Sequence, residues 1–265
     1  MNSSHGKHLT NPAPVIVFLL VATIWHFVVV LFKIPPIILP GPIAVANALW
    51  QERMVLLKAS WITLQAAAVG LLCSAIFGSL IAVVFSQSSL LRIALYPYVI
   101  FLQTVPIVAI APLLIIWSGN NFRTIVLVAT IISIFPVIAN VTSGLLSINE
   151  NLRELFQMQS ASRWQTLTKL RIPAAIPQLV LGLRVSSGLS VIGAIVAEFF
   201  VGNSGEYDGL GTIMTSRQAN LKTAELIAAL MACTCLGIIL FGLVNLLSAT
   251  LLRRWTRHSG FESDK

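Results

Sequence analysis

The sequence predicts an all-α polytopic membrane protein of about six transmembrane helices, and three observations predict it. The 265 residues are 57% hydrophobic and only 10% charged, with a mean hydropathy of +0.89, whereas a soluble globular protein carries roughly 25% charged residues. Six segments hold apolar runs of the length, about 20 residues, that a helix needs to cross a hydrocarbon layer of ~30 Å. Polar residues gather between those runs, and the longest polar interval is 147–178.

The first span covers Pro14–Phe32. Its apolar run is too long for the core of a secretory signal and no small-residue cleavage site follows it, so it reads as a span. Trp61–Phe85, Ile93–Trp117, Ile125–Leu146, Leu179–Val201 and Ala224–Leu252 follow. No internal repeat, low-complexity tract or soluble unit interrupts them, so residues 1–265 read as a single membrane domain with its core at about 61–252. The net charge of +8 and the pI near 9.9 would suggest nucleic acid in a soluble chain. In a membrane chain Lys and Arg collect in cytoplasmic loops, so the expected partner is the lipid bilayer and no nucleic-acid role is expected. Cys73, Cys233 and Cys235 all fall in apolar segments and read as small packing residues rather than disulfide or metal partners.

With six spans and a cytoplasmic amino terminus, Lys7, Arg92, Arg153, Arg163, Lys169, Arg171, Arg184, Arg253, Arg254, Arg257 and Lys265 share the cytoplasmic side. The opposite face keeps Lys33, Arg53, Lys58, Arg123, Arg217 and Lys222. The excess of cationic residues places both termini in the cytoplasm, and the 147–178 loop with them.

In that loop apolar residues recur at Leu155, Met158, Ala161, Trp164, Leu167 and Leu170. A spacing of three slides around a straight helix by about 60° per step, so one helix would not hold them on one face. Two shorter helices would. Asn151 with Glu154, and Ser162 with Gln165, each fit a capping box, and Pro173 predicts that the second helix stops near Arg171. The exposed faces offer Arg163, Gln165 and Lys169 to a partner, with Trp164 as an aromatic anchor. The ordinary alternative is an amphipathic helix resting in the headgroups with its basic residues on anionic lipid.

The chain resembles the inner-membrane permease subunits of ABC importers, whose cytoplasmic EAA loop reads Glu-Ala-Ala, three residues, Gly, nine residues, then Ile-x-Leu-Pro. Aligned on Pro173, this sequence has Leu170 and Ile172 at the aliphatic places, Ser160 at the Gly place and Glu154-Leu155-Phe156 at the Glu-Ala-Ala place. The Glu and Pro are in register, while both Ala and the Gly are replaced. "ASRWQ" (161–165), "IPAAIPQLVLGLR" (172–184), "VAEFFVG" (196–202), "GLGTI" (209–213), "TVPIVAIAPLLIIWSG" (104–119) and "PPIILPGPIAVANAL" (35–49) are similar to the nitrate, sulfonate and taurine branch. The likeness covers nearly the whole chain.

The resemblance implies a single permease domain in a bacterial inner membrane. It implies three partners: an ABC ATPase subunit, a substrate-binding protein, and a second permease copy forming a homodimer. It also implies that Glu154, Ser160, Ala161, Ser162, Arg163, Trp164 and Pro173 form the coupling element that meets the ATPase, and that the solute is a small nitrate-, sulfonate- or taurine-like anion or a vitamin precursor. The 265 residues contain no Gly-x-x-x-x-Gly-Lys-Ser/Thr loop, the sole Gly-Lys pair being Gly6-Lys7, so ATP is assigned to the partner and the chain itself takes no cofactor. Neither His-Glu-x-x-His, nor Gly-x-Ser-x-Gly, nor a paired intramembrane carboxylate occurs; no catalytic residue and no metal site are expected.

Polar groups inside spans are costly and tend to face the bundle interior or a pathway. Gln103 and Thr104 before Pro106, and Asn140 after Pro136, are the candidate pathway residues, with Glu198 near the external end of the fifth span. Glu198 reads equally as an outer-gate group or an interhelical hydrogen-bonding group. Thr142, Ser186, Ser187 and Ser190 read first as groups bonding back to their helices or joining neighbours. Arg184 reads as snorkelling and His26 as a packed, hydrogen-bonding residue. A gradient-driven secondary transporter or channel is the alternative function; it calls for inverted repeats and ionisable groups at the midplane, neither of which is evident here.

Overall fold

A computed structural model describes residues 13–201 and 207–256, with side chains described to residue 250 except that of Pro14. Lys7, Gly202, Arg257 and Lys265 of the sequence reading lie outside the described residues, as do the side chains of Leu252, Arg253 and Arg254. Helices α1 (Ala13–Leu31), α2 (Pro42–Gln51), α3 (Arg53–Gln87), α4 (Ser89–Thr104), α5 (Ile107–Ser118) and α6 (Phe122–Leu146) lead to the loop. Helix α7 (Glu150–Met158), the short α8 (Arg163–Thr166), α9 (Ile172–Val201), α10 (Leu210–Ala219) and α11 (Thr223–Thr256) complete the chain. No strand occurs among the described residues.

Among the described residues four helical stretches are long and apolar enough to cross a membrane: Arg53–Gln87, Phe122–Leu146, Arg163–Val201 and Thr223–Thr250. The expected straight third span is instead two helices, α4 and α5, bent by 99°. Pro106 is the cause. It forces the preceding residue out of the helical region, and Val105 takes φ −70° and ψ 126° accordingly. Taken as one, the bent pair is a fifth span. The expected first span is an apolar helix, but its Val15–Leu31 segment is about 25 Å long at 1.5 Å per residue, slightly shorter than the hydrocarbon layer. It touches α2, packs Trp25 against the core and exposes most of its other side chains, with Phe18 and Phe27 each 64% exposed.

Helices α3, α6 and α9 form the centre, and the α6–α9 interface is the most extensive. They meet on small residues, because lipid offers no hydrophobic drive to associate and close backbone packing must substitute for it. Ala129 of α6 lies between two glycines: a Cβ at Gly70 of α3 would stand 2.6 Å from its Cβ, and one at Gly193 of α9 would stand 2.7 Å from its Cα. Buried hydroxyls complete the contact, with Ser186 Oγ donating across to the Ser133 carbonyl at 2.6 Å. Large apolar side chains such as Phe77 and Ile238 point outward, as a lipid-facing surface requires.

At the end of the bundle away from the loop, Arg217 of α10 pairs with Glu52 between α2 and α3 at 2.6 Å and with Glu225 of α11 at 2.8 Å. Lys222 Nζ reaches Glu225 at 3.0 Å, and Thr223 Oγ1 donates to the Ile37 carbonyl at 2.6 Å. These contacts fix the short α10 against its neighbours.

Candidate functional site

Two helices with a sharp bend occupy the polar loop, and local hydrogen bonds explain the bend. Helix α7 starts two residues earlier than the expected box: Asn149 caps it, its Oδ1 accepting from the Asn151 N–H at 3.0 Å, with Glu150 in the first turn. Glu150 there complements the helix dipole, which leaves Glu154 an exposed mid-helix residue outside the cap. The helix ends in a Schellman motif. The Ala161 N–H donates to the Phe156 carbonyl at 3.0 Å and the Ser160 N–H to the Gln157 carbonyl at 2.9 Å, while Ser160 adopts φ 52°. The left-handed conformation falls at the place where the EAA pattern carries Gly, so the pattern's Gly has a backbone reason.

Two residues later the expected Ser162–Gln165 capping box is formed. The Gln165 N–H donates to Ser162 Oγ at 3.2 Å and the Ser162 N–H to Gln165 Oε1 at 2.8 Å. The bend separates the apolar residues as their spacing requires. Met158 and Trp164 are 83% and 71% exposed, while Leu167 and Leu170 are 4% and 8% exposed, and Leu167 joins a core of Ala82, Val137, Val141, Leu145 and Ala175.

The second helix does not stop near Arg171. A wider π turn over Leu167–Arg171, closed by the Ile172 N–H on the Leu167 carbonyl, absorbs Pro173 by moving carbonyls away from its ring. The helix therefore runs unbroken from Arg163 to Val201, 39 residues. Arg171 Nη1 also donates to the Ser86 carbonyl at 2.7 Å, satisfying one of the open carbonyls at the end of α3. Ser160 to Trp164, the residues expected to couple, thus sit together at the head of a helix that enters the bundle core, with Pro173 just past its π turn.

Of the pathway candidates, Gln103 and Asn140 line one cavity of about 540 Å³ between the α4–α5 break, α6 and α9, with Phe135, Pro136 and Val185. Asn140 Nδ2 donates to the Pro136 carbonyl at 2.8 Å. Thr104 bonds its own helix, its hydroxyl on the Phe101 carbonyl at 2.9 Å, and Ser187 and Ser190 likewise bond back. Glu198 lies elsewhere. It is fully buried, accepting from Thr63 Oγ1 at 2.9 and 3.0 Å and from the Gly211 N–H at 2.8 Å, while Thr63 Oγ1 accepts from the Leu210 N–H at 2.9 Å. Carboxylate and hydroxyl together cap the start of α10, the favourable place for a negative group. A Cβ at Gly209 would overlap that carboxylate, and one at Gly211 would stand 2.7 Å from Glu198 Cβ. "VAEFFVG" and "GLGTI" are therefore one packed joint. Thr63 is the member that sequence reasoning missed; as a lone hydroxyl in an apolar run it carried no local signal.

Among the described residues no group of His, Cys, Asp and Glu is placed to hold a metal. Cys233 Sγ rests 3.7 Å from Met214 Sδ, a packing contact, and His26 stands edge-on to Phe27.

A multi-span helical bundle with a rigid polar handle and a cavity at a broken helix is the build of a membrane permease. The chain belongs to the family of binding-protein-dependent transport system inner membrane components, whose model matches residues 74–258. It is 31% identical over 228 residues to a probable ABC transporter permease protein of Haemophilus influenzae, covering 86% of this chain and 91% of that protein. It is also 31% identical to a riboflavin transport system permease protein of Chloroflexus aurantiacus, covering 90% and 88%. A crystal structure of a bacterial alginate ABC transporter in complex with an alginate pentasaccharide-bound periplasmic protein shares the fold, with a TM-score of 0.60 and 19% identity over 96% of this chain and 99% of that one. Proteins named as nitrate, aliphatic sulfonate and taurine permeases also match, which places the chain in that branch of ABC importer permeases.

Proposed function

We propose that this permease subunit passes a small polar solute, a nitrate-, sulfonate- or taurine-like anion or a vitamin precursor, through a pathway that includes Gln103 and Asn140. Its motion is driven by a separate ABC ATPase that docks on the Ser160–Trp164 turn and binds the ATP. A substrate-binding protein delivers the solute to the opposite face, a second copy of the chain completes the pathway, and both termini face the cytoplasm. The observation that carries this reading is the unbroken helix from Arg163 to Val201 with Trp164 71% exposed at its head. Exposed aromatic and basic residues are the usual anchors of an interface, and a displacement applied at Trp164 reaches the bundle core through one rigid element. Thr104, Glu154 and Glu198 have supporting rather than contacting roles in this reading, Glu198 through its cap on α10.

Arg163→Glu combined with Trp164→Ala tests it. The double variant is expected to assemble in the membrane like the parent and to lose co-purification of the ATPase; retention of the ATPase would place docking elsewhere.

A further inference from the structure

We propose that the junction of the loop with the end of α3 is a binding site for a phosphate-class oxyanion. A cavity of about 230 Å³ lies there, and three arginines from three successive elements line it: Arg153 of α7, Arg163 of α8 and Arg171 of the π turn, beside Gln157 and Gln87. No carboxylate is among its lining residues. Like charges brought to one small space are unfavourable without a counter-charge, and existing partners do not supply one. Arg153 pairs with Glu150 at 3.2 Å, but the two side chains are 49% and 68% exposed, and such surface pairs contribute little. Arg171 gives one N–H to the Ser86 carbonyl, out of the five donors a guanidinium carries. The Arg163 guanidinium makes no hydrogen bond or ion pair with the described residues.

Guanidinium forks match tetrahedral oxyanions bidentately, and the two glutamine amides add neutral donors. The space is below the roughly 300 Å³ at which pockets for drug-sized ligands begin, so it suits a single phosphate group. That group comes either from free phosphate or from the headgroup of an anionic lipid, since the cavity sits where the loop meets the spans. A bound oxyanion would tie α7, α8 and the end of α3 together. Its effect on transport rests on the coupling role proposed above, whereas the binding itself does not.

The test is calorimetric titration of the full-length chain in phosphatidylcholine nanodiscs, with inorganic phosphate in one arm and dioctanoyl phosphatidylglycerol in the other. The expected result is saturable binding that weakens as salt rises and falls roughly tenfold or more in Arg153→Gln and in Arg171→Gln, each removing a charge-assisted fork. Arg153→Gln is the safer variant, because Arg153 contacts only an exposed carboxylate. Binding in both arms, or in the phosphate arm alone, identifies a free-anion site; binding in the lipid arm alone identifies a headgroup site. Absence of binding in both arms, or binding that Arg153→Gln and Arg171→Gln leave unchanged, overturns the proposal. Because the readout needs no ATPase, a failure here is distinct from a failure of ATPase docking.

Discussion

Replacing Ser160 by Gly should tighten the loop, and replacing it by Val should loosen it. Ser160 holds φ 52°, a region in which an L side chain costs roughly 1–2 kcal/mol and glycine costs nothing steric. Against that gain stands the larger entropy glycine loses on ordering, about 0.5–1 kcal/mol, so the net stabilisation of the bend is about 0.5 kcal/mol. A β-branched side chain crowds the same backbone further, and Val is expected to cost about 1 kcal/mol more than Ser. The Schellman bonds report the change directly: the amides of Ser160 and Ala161 are held at 2.9 and 3.0 Å and exchange only when the bend opens. Amide hydrogen exchange on the detergent-solubilised chain should be about twofold slower at residue 161 in Ser160→Gly and about fivefold faster in Ser160→Val, from RT of 0.59 kcal/mol. Equal rates in all three proteins, or a faster rate with Gly, would refute the link between backbone sign and the pattern's Gly.

Other positions give independent checks. Glu198→Ala leaves the Gly211 N–H without its acceptor and the Thr63 hydroxyl with only the Ala59 carbonyl, and is expected to cost about 1–3 kcal/mol, read as a lower unfolding temperature in detergent; an unchanged midpoint would mean the cap is dispensable. Gly193→Ala pushes a methyl to 2.7 Å from Ala129 Cα, so α6 and α9 must separate at a cost of about 1–3 kcal/mol, whereas Gly188→Ala, with open space around it, serves as the neutral control. Gln103→Ala and Asn140→Ala should each lower solute flux severalfold in proteoliposomes without changing assembly; normal flux in both would make the 540 Å³ cavity a packing defect rather than a pathway.

The helices were legible because apolar length is a strong signal, and the capping box at Ser162 was legible because it is local. Four features were not. The π turn that carries the helix past Pro173 depends on Leu167 being buried with Val137, Val141 and Leu145 of α6, a tertiary gain that outweighs the pre-proline preference. The cap on α7 moved to Asn149 because two asparagines two residues apart both qualify, and only the position of Glu150 distinguishes them. The joint of Glu198 with Thr63 spans 135 residues of sequence, beyond any periodicity. The break at Pro106 was visible as a proline but not as a 99° bend, since many membrane helices accommodate proline with a mild kink. Gln103 and Asn140, singled out as costly polar groups, do share a cavity, which burial cost alone would not have told.

The measurement that bears most directly on the central claim is a mild-detergent pull-down of the tagged chain from its native membrane, with mass spectrometry of its companions and transport assayed in liposomes. Recovery of a P-loop ATPase, with uptake that requires ATP, is the predicted result. Recovery of the chain alone, still transporting without ATP, would contradict the account.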